Sequence, residues 1–540
     1  MTAAAPAASP TTAPPVASGA LPLVGHLLAM RRDPVALLQR VHDELGEIGQ
    51  LRLAGTQVVM LYGADAQEAF FRAPDEQLDQ AAAYPFMKPI FGPEVVFDAT
   101  PEQRKQAMRN QSLRDKFMRG HAEGIAAEVE RMTASFGERG EIDVLDFFSE
   151  LTLYTSSAAL IGKQFRQELG PQYVEVFKDL ERGTDAFAYV NPYLPLPAFR
   201  RRDRARATLV GWLQEIFARR ERDDTEYQDL FQILHGLQNA AGERRYTDEQ
   251  ITGMFISMMF AGHHTSSVVA SWALLDLLLH PEWLQKVKVE LDQLYADGRA
   301  VSYQALREIP ILECCLKETL RLHPPLILLM RKVAQEFHYK GWKIPVGQIV
   351  ATSPAVSNRM PEHFPEPERY DPSRYMGERH EDRQLFAWIP FGAGRHRCVG
   401  AAFAMMQLKT LFSILLRRYD FALAQSRESY RNDHSKMVVA VHQPCRVRTQ
   451  RRPEAARASR PSAAAQAAEQ DAERPYCVKL DLDLCQGHAV CVNEAPEVFE
   501  LDEEKMKARI LEASPGPESR PSVTSAIRHC PTRAIRLEEM

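Results

Sequence analysis

The sequence predicts a large, mostly α domain with small β-sheets, followed by a small separate domain. Three observations carry this expectation. Helix-period runs dominate the middle of the chain, and strand-like runs lie nearer its ends. The stretch from Ile251 to Leu275 contains no Asp, Glu, Lys or Arg. The composition breaks abruptly near Arg446, and a different kind of sequence resumes at Tyr476. A chain of 540 residues has room for one large domain and one small one.

Taken in order, residues 1–20 are rich in Ala, Pro and Thr, with neither a basic start nor an apolar core. They read as a disordered leader rather than a targeting segment. The main body is expected over 21–448. Gln57 to Leu61 and Phe337 to Ile344 read as strands. Tyr84 to Ala99 is rich in aromatics but broken by Pro and Gly, which suits a loop lining an apolar pocket. Gly124 to Phe136, Arg204 to Arg219 and Trp283 to Leu294 read as helices. The charge-free run is long enough to span a bilayer. However, Gly262, His263, His264, Thr265, Ser266 and Ser267 occupy its middle, and polar groups there are costly in lipid. A long buried helix with a polar break facing a cavity fits better.

Between Arg446 and Arg460 there are six arginines and one glutamate, and Ala, Ser, Gln and Pro then prevail to Pro475. Residues 449–475 cannot bury a core and read as a linker. The last piece, 476–540, has twelve acidic and eight basic residues, a balance of 8 − 12 = −4. About 65 residues make a marginal domain without a covalent or metal staple.

Overall composition is ordinary for a globular protein, with 45% hydrophobic and 25% charged residues. A net charge of −5 gives no reason to expect nucleic acid as a partner. Eight cysteines are too sparse for a disulfide scaffold, so reduced thiols or metal ligands in a cytoplasmic, soluble protein are expected.

The first chemical centre is Phe391-Gly392-Ala393-Gly394-Arg395-His396-Arg397-Cys398-Val399-Gly400. A cysteine stands in a Gly-rich turn just before a helix-like run, Ala401 to Leu415. Glycines let backbone approach a flat ligand, and a helix start with nearby cations favours a thiolate. A thiolate is the electron-donating ligand that haem iron needs for O–O cleavage. Alone, the pattern better fits a buried structural cysteine in a Gly-rich loop. Glu318 and Arg321, at i and i+3, lie in an apolar helical run, and a buried pair would want a third partner such as Arg374.

F-x-x-G-x-x-x-C-x-G, E-x-x-R and the later P-x-R-Y, in this order, resemble the cytochromes P450 over roughly Leu21 to Arg448. The resemblance implies the P450 fold, haem b, Cys398 as axial ligand, and Glu318, Arg321 and Arg374 as a structural charge triad. His396 departs from the pattern, where arginine is more usual.

Within that family, Tyr84 to Ala99 resembles the loop signature of sterol 14α-demethylases. His263-His264-Thr265, the Cys398 turn and Asp433 to Val438 agree with it. This second resemblance implies that Tyr84, Lys105, Arg331 and His396 hold the haem propionates. It implies a sterol cavity lined by Phe86, Met87, Phe91, Phe97, Phe260, Ala261, Leu326 and Met437. His264 stands where most P450s have an acid; with Thr265 it is expected to handle protons. The implied reaction removes a 14α-methyl group in three steps, each using one O2 and two electrons. Lanosterol is the expected sterol. The alternative is a monooxygenase of the same fold acting on another large apolar molecule.

The second centre is Cys485-Gln486-Gly487-His488-Ala489-Val490-Cys491 with a remote Cys530-Pro531. Clusters are commonly held by C-x2-C-x2-C and a remote Cys-Pro. Here His488 takes the middle position. Val478 to Ile535 resembles small bacterial ferredoxins with a [3Fe-4S] cluster, implying a small α+β ferredoxin-like domain with Cys485, Cys491 and Cys530 as ligands. Three cysteines and a histidine also form a legitimate zinc set, and a [4Fe-4S] cluster with another fourth ligand stays open. Cys477 is expected to be a non-ligand.

Tethering an electron donor to an oxygenase raises its local concentration. An acidic ferredoxin is expected to meet a basic face, with Arg395, Arg397, Arg417 and Arg418 as candidates. No flavin or dinucleotide motif is visible, so a separate NAD(P)H-dependent flavoprotein ferredoxin reductase is the implied partner. Phe187 to Arg202 mixes apolar residues with arginines and is a candidate for peripheral membrane contact.

Overall fold

The computed structural model describes residues 13–99, 115–170, 172–184, 186–189, 191–222, 225, 227, 229–239, 242–453, 476–502, 505–530 and 532–539. The central element follows from the charge-free run. A helix over Asp248–Met259 passes through a π-helical turn, Phe260–His264, into a second helix, Thr265–Leu279. Its start is fixed by a capping box between Thr247 and Gln250. Its end is set by His280 and by Pro281, which opens the next helix. The polar break expected from the sequence is this π turn, a single-turn irregularity often found at functional sites. Among the described residues no helix is long and apolar enough to cross a membrane.

Around Thr265–Leu279 pack the helices Val144–Ser156, Pro310–Leu322 and Ala401–Arg418, giving one large apolar cluster. A second cluster gathers Phe86, Met87, Phe91, Phe255 and Phe260 with the helix over Pro197–Arg220. Met437 packs against both. A five-stranded sheet borders this body, in the order 48–53, 56–61, 349–352, 329–333, 78–79. Only the contact of 56–61 with 349–352 is parallel.

The expected strand over Phe337 to Ile344 is a hairpin of Phe337–Tyr339 and Trp342–Ile344, turned at Lys340 and Gly341, both with positive φ. Tyr84 to Ala99, read as a loop, begins with a 3-10 turn at Pro85–Met87 and a short helix at Lys88–Phe91. Proline starts the first turn and stands second in the next, where its missing N–H costs nothing, and Gly92 at φ +96° ends the run.

Two expected boundaries move. Residues 15–17, placed in the disordered leader, pair with Gln50: its N–H donates to Pro15 O at 2.7 Å, and Ala17 is buried. The exposed edge of the first strand offers backbone partners that the leader satisfies. The main body also runs past 448. A strand over Arg446–Arg451 is central to a three-stranded sheet with 139–143 and 419–423. Arg452 is buried on Asp292 at 2.7 Å. The arginine-rich composition hid this alternation of buried and exposed positions. The remainder of the expected linker, 454–475, lies outside the described residues.

The small domain has its own core, including Tyr476, Val478, Leu484, Val498, Phe499, Val523 and Ile535. Its first strand, Tyr476–Leu480, pairs antiparallel with its last, Ile535–Glu539. A hairpin of Phe499–Asp502 and Lys507–Ile510 and helices over Val490–Glu494 and Arg520–His529 complete it. This is the expected α+β arrangement.

Candidate functional site

The Cys398 turn is shaped by backbone. The Cys398 N–H donates to Phe391 O at 2.9 Å, closing the loop. Gly394 has φ +63°, and a Cβ there would meet Phe71 O at 2.3 Å, so only glycine fits. The Cys398 side chain is open to solvent even though the turn is set among protein atoms. Burial raises its thiol pKa, while the Gly400 N–H and the Arg397 charge lower it. A metal that binds the sulfur would deprotonate it outright.

The charge triad is assembled as expected. Glu318 is fully buried and accepts from Arg321 Nε and Nη2 at 2.8 Å each, and from Arg374 Nε at 3.2 Å. Tyr375 and the Asp371 N–H also donate to it, each at 2.9 Å. Both arginines spend further donors on carbonyls: Arg321 on Asn358 and Arg369, Arg374 on Pro365 and Glu366. Such a network holds buried charge only because every member is satisfied.

In the π turn, Ala261 is exposed between buried Phe260 and His263. Thr265 donates back to Ala261 O at 2.6 Å. His264 Nδ1 lies 3.4 Å from Glu181 Oε1, and Lys436 donates to Glu181 Oε2 at 3.0 Å. Burial alone would raise the Glu181 carboxyl; His264 and then Lys436 hold it well below the usual range. The buried Nε2 of His264 has no hydrogen-bond partner among the described residues. His263 sits instead on Thr152, at 3.1 Å, and burial pushes its pKa well down. Sequence reasoning missed Glu181, which lies in an ordinary amphipathic helix, Gln172–Glu181.

The expected pocket residues are largely brought together. Tyr84 stacks on Phe97 at 5.0 Å, Phe97 on Phe91 at 6.0 Å, and Phe91 meets Phe260 edge-on at 5.9 Å. Phe86 lies 5.6 Å from Tyr84, and Phe260 lies 4.3 Å from His264. Met87 is buried in the same cluster. Leu326 bridges Val438, beside Met437.

Of the expected propionate holders, Tyr84 accepts from the Met330 N–H at 3.0 Å, leaving its own proton without an acceptor among the described residues. Arg331 donates to Phe70 O and Ala73 O. It is 2% exposed and makes no ion pair among the described residues. A buried guanidinium with no ion pair among the described residues and a spare phenol proton suit a haem with its carboxylate arms. His396 lies 2.5 Å from Asp75. Burial raises the Asp75 carboxyl, but His396, Arg331 and Arg395 together bring it below its usual value. Lys105 lies outside the described residues.

In the small domain, Cys485 and Cys491 are buried and Cys530 packs against the same core. Burial, then Cys530 and Cys485, push the Cys491 thiol up to about 12. All three cysteines thus belong to or pack against one core. Ala508 N–H donates to Cys485 Sγ at 3.3 Å, the kind of bond that tunes cluster thiolates. Gly487 has φ +70°, and a Cβ there would strike Met506 O at 2.4 Å. Among the described residues no three His, Cys, Asp or Glu are gathered tightly as for one metal ion. Cys485 and Cys491 in one loop, Cys530 at the end of the Arg520–His529 helix and an N–H···S bond suit an iron–sulfur cluster. Cys477 points elsewhere, in the first strand.

The ion pairs between the domains, among the described residues, use arginines other than the four expected. Arg417 lies over Tyr295, and Arg418 pairs with Glu130 at 2.6 Å, both within the large domain. Arg72 pairs with Asp481 at 3.2 Å, and Arg307 pairs with Glu494. Of the four expected arginines, Arg397 meets the small domain through its carbonyl, which accepts from Gln486 Nε2 at 2.8 Å.

Comparison with known proteins adds family context. The family model described as Cytochrome P450 matches residues 14–448, and one described as 4Fe-4S single cluster domain matches 478–537. The chain is 56% identical over 432 residues to the sterol 14alpha-demethylase of Mycobacterium bovis, covering 79% of this chain and 96% of that protein. It is 33% identical over 419 residues to the lanosterol 14-alpha demethylase of Homo sapiens, covering 76% and 81%. The retinoic acid-bound cyanobacterial CYP120A1 superposes with a TM-score of 0.72 at 22% identity, covering 82% of this chain and 99% of that one, a likeness of fold.

Proposed function

The chain belongs to the cytochrome P450 family, with sterol 14α-demethylases among its relatives, and from that premise we propose that it is a sterol 14α-demethylase carrying its own ferredoxin. The observation that carries this reading is the pairing of the open Cys398 turn with an aromatic pocket at a His264-bearing π turn. Bound at Cys398, haem b would supply the activation of O2 that no side chain provides. Three successive oxygenations would convert the 14α-methyl to alcohol, then aldehyde, and release the carbon as formate with a new ring double bond.

The protein's own groups have distinct tasks. Cys398 offers the thiolate. Tyr84, Arg331, His396 and Lys105 hold the propionates. Phe86, Met87, Phe91, Phe97, Phe260, Ala261, Leu326 and Met437 exclude water and orient a rigid apolar ring system. Lys436 is partly exposed and touches Glu181, which touches His264. This chain of contacts links solvent to the free Nε2 of His264, beside Thr265, and gives a route for resupplying protons.

The small domain delivers electrons singly through a [3Fe-4S] cluster on Cys485, Cys491 and Cys530, since His488 replaces a fourth cysteine. A separate NAD(P)H-dependent flavoprotein recharges it. Lanosterol is the substrate proposed, with O2 as co-substrate. Eight cysteines, all free, support a reducing, cytoplasmic setting for a soluble protein.

Optical titration with lanosterol tests the substrate. A saturable Soret shift towards high-spin iron, followed by 14-demethylated product on addition of a reductase, is expected. An intact thiolate–CO band with no shift across a panel of 14α-methyl sterols would keep the oxygenase and reject the sterol.

A further inference from the structure

The two cysteine loops touch. Gln486, next to Cys485, donates from Nε2 to the carbonyl oxygen of Arg397 at 2.8 Å, and Arg397 directly precedes Cys398. One hydrogen bond thus joins the loop of one cysteine site to the loop of the other. The Arg397 guanidinium also lies within electrostatic reach of both Cys398 and Cys530.

The charged contacts around this point do not share one polarity. Arg72–Asp481 and Arg307–Glu494 place the cation on the large domain and the anion on the small one. The third contact is reversed. Arg533 of the small domain donates from Nη2 to Asp382 Oδ2 at 2.6 Å and from Nη1 to the Asp382 carbonyl. Its guanidinium lies over Trp388, 5.3 Å from the ring centre. Asp382 is 5% exposed, and its other cation is Lys317 at 3.2 Å. Without Arg533, a carboxylate on the docking face would face the acidic small domain with half its compensation removed. Rotating the small domain on this face would set like charges against each other.

We propose that the reversed Arg533–Asp382 pair is the orientation key that seats the C-terminal domain so that Gln486 meets Arg397 beside Cys398. This rests on the reading above that the small domain feeds electrons to the haem. The transfer it serves moves one electron: the cluster is oxidised by one, and the ferric haem iron is reduced by one. A reduced flavin recharges the cluster.

The test uses the full chain, loaded with haem and cluster. Arg533→Asp, Asp382→Arg and the double exchange are compared by hydrogen exchange of the amides in 391–400 and 485–491. The same samples give the rate of haem reduction under CO after photoreduction of the cluster by a deazaflavin. Each single reversal is expected to speed exchange of both segments and slow inter-centre transfer at least about tenfold, as for breaking a buried charge pair at an interface. The double exchange should restore both to within about threefold of the parent. If Arg533→Asp fails to take up its cluster, Arg533→Gln carries the same comparison, because it removes the charge without reversing it. Unchanged protection and transfer rate in the single variants, or no recovery in the double exchange, would overturn the key. The lanosterol titration, read alongside, separates the two claims. A missing Soret shift in the parent rejects the sterol reading, whereas altered docking with a normal shift speaks only to the key.

Discussion

Cys398 is held from outside the core of its domain, whereas Cys485 and Cys491 are members of theirs. The large domain closes its apolar clusters without the Cys398 side chain and shapes the turn with glycine and backbone. The small domain, with few core residues, builds its three cysteines into or against the core itself. The contrast teaches that a metal site can be a guest of a fold or a component of it. A domain of some 65 residues has little choice, because its apolar core alone is marginal.

The largest effect should come from removing iron. Chelation under anaerobic reduction, or Cys485→Ala, is expected to lower amide protection of 476–480 and 535–539 by about 100-fold or more, since metal binding there is folding free energy. Cys398→Ala should abolish the thiolate–CO band yet leave thermal unfolding of the large domain within about 1 kcal/mol of the parent. A small domain that kept full protection without iron would break the comparison.

Next in size is Glu318→Gln. It strands Arg321 without its carboxylate, leaves Arg374 only Glu381, and should cost the large domain about 3–5 kcal/mol by denaturant unfolding. The cluster absorption of the small domain should not change. If the cost fell on both domains equally, they would be one cooperative unit rather than two differently built ones.

His264→Ala should lower sterol turnover about 100-fold, as for loss of a general acid, while the lanosterol-induced Soret shift persists. Loss of the shift as well would make His264 a packing residue. Gly487→Ala should destabilise the small domain by about 1–3 kcal/mol, because its Cβ has no room beside Met506 O. The same probe at Gly394 should act on haem uptake instead.

The smallest effect is a pH dependence. Folding depresses the Glu181 carboxyl, because His264 and Lys436 outweigh its burial. Its contribution is therefore complete above the ordinary glutamate value of 4.5 and is lost as pH falls below it. The stability gap between the protein and Glu181→Gln, followed by urea unfolding, should be level near neutrality and narrow on acidification. A gap that widens in acid would contradict the ion pair.

What could be read in advance follows sequence distance. Glu318 and Arg321 are three residues apart on one helix, and the Cys398 turn and the Cys485–Cys491 loop are each continuous. These local patterns carry their own geometry. Arg533 and Asp382 are 151 residues apart, and Glu181 and Lys436 are 255 apart. Each sits in an unremarkable polar context, so only the fold reveals the partner. The docking arginines were misjudged for the same reason. Arg417 and Arg418 are as basic as Arg72 and Arg307, but the helix that bears them turns them towards Tyr295 and Glu130. Within the loop after Tyr84, Pro and Gly also start and stop two short helical turns, which the breaks in the pattern alone do not reveal.

The π turn at Phe260–His264 is also a phase setting. An α-helix advances about 100° per residue, so the one residue accommodated in the wide turn rotates everything beyond it by that angle. Downstream, Trp272 stacks on His323 with ring centres 3.7 Å apart, and Asp276 accepts from Thr319 at 2.8 Å. Both contacts depend on that phase. A single-codon deletion within the turn would therefore act over a distance, swinging Trp272 and Asp276 out of register with the Pro310–Leu322 helix. Length here is information of a kind that no side-chain substitution can mimic.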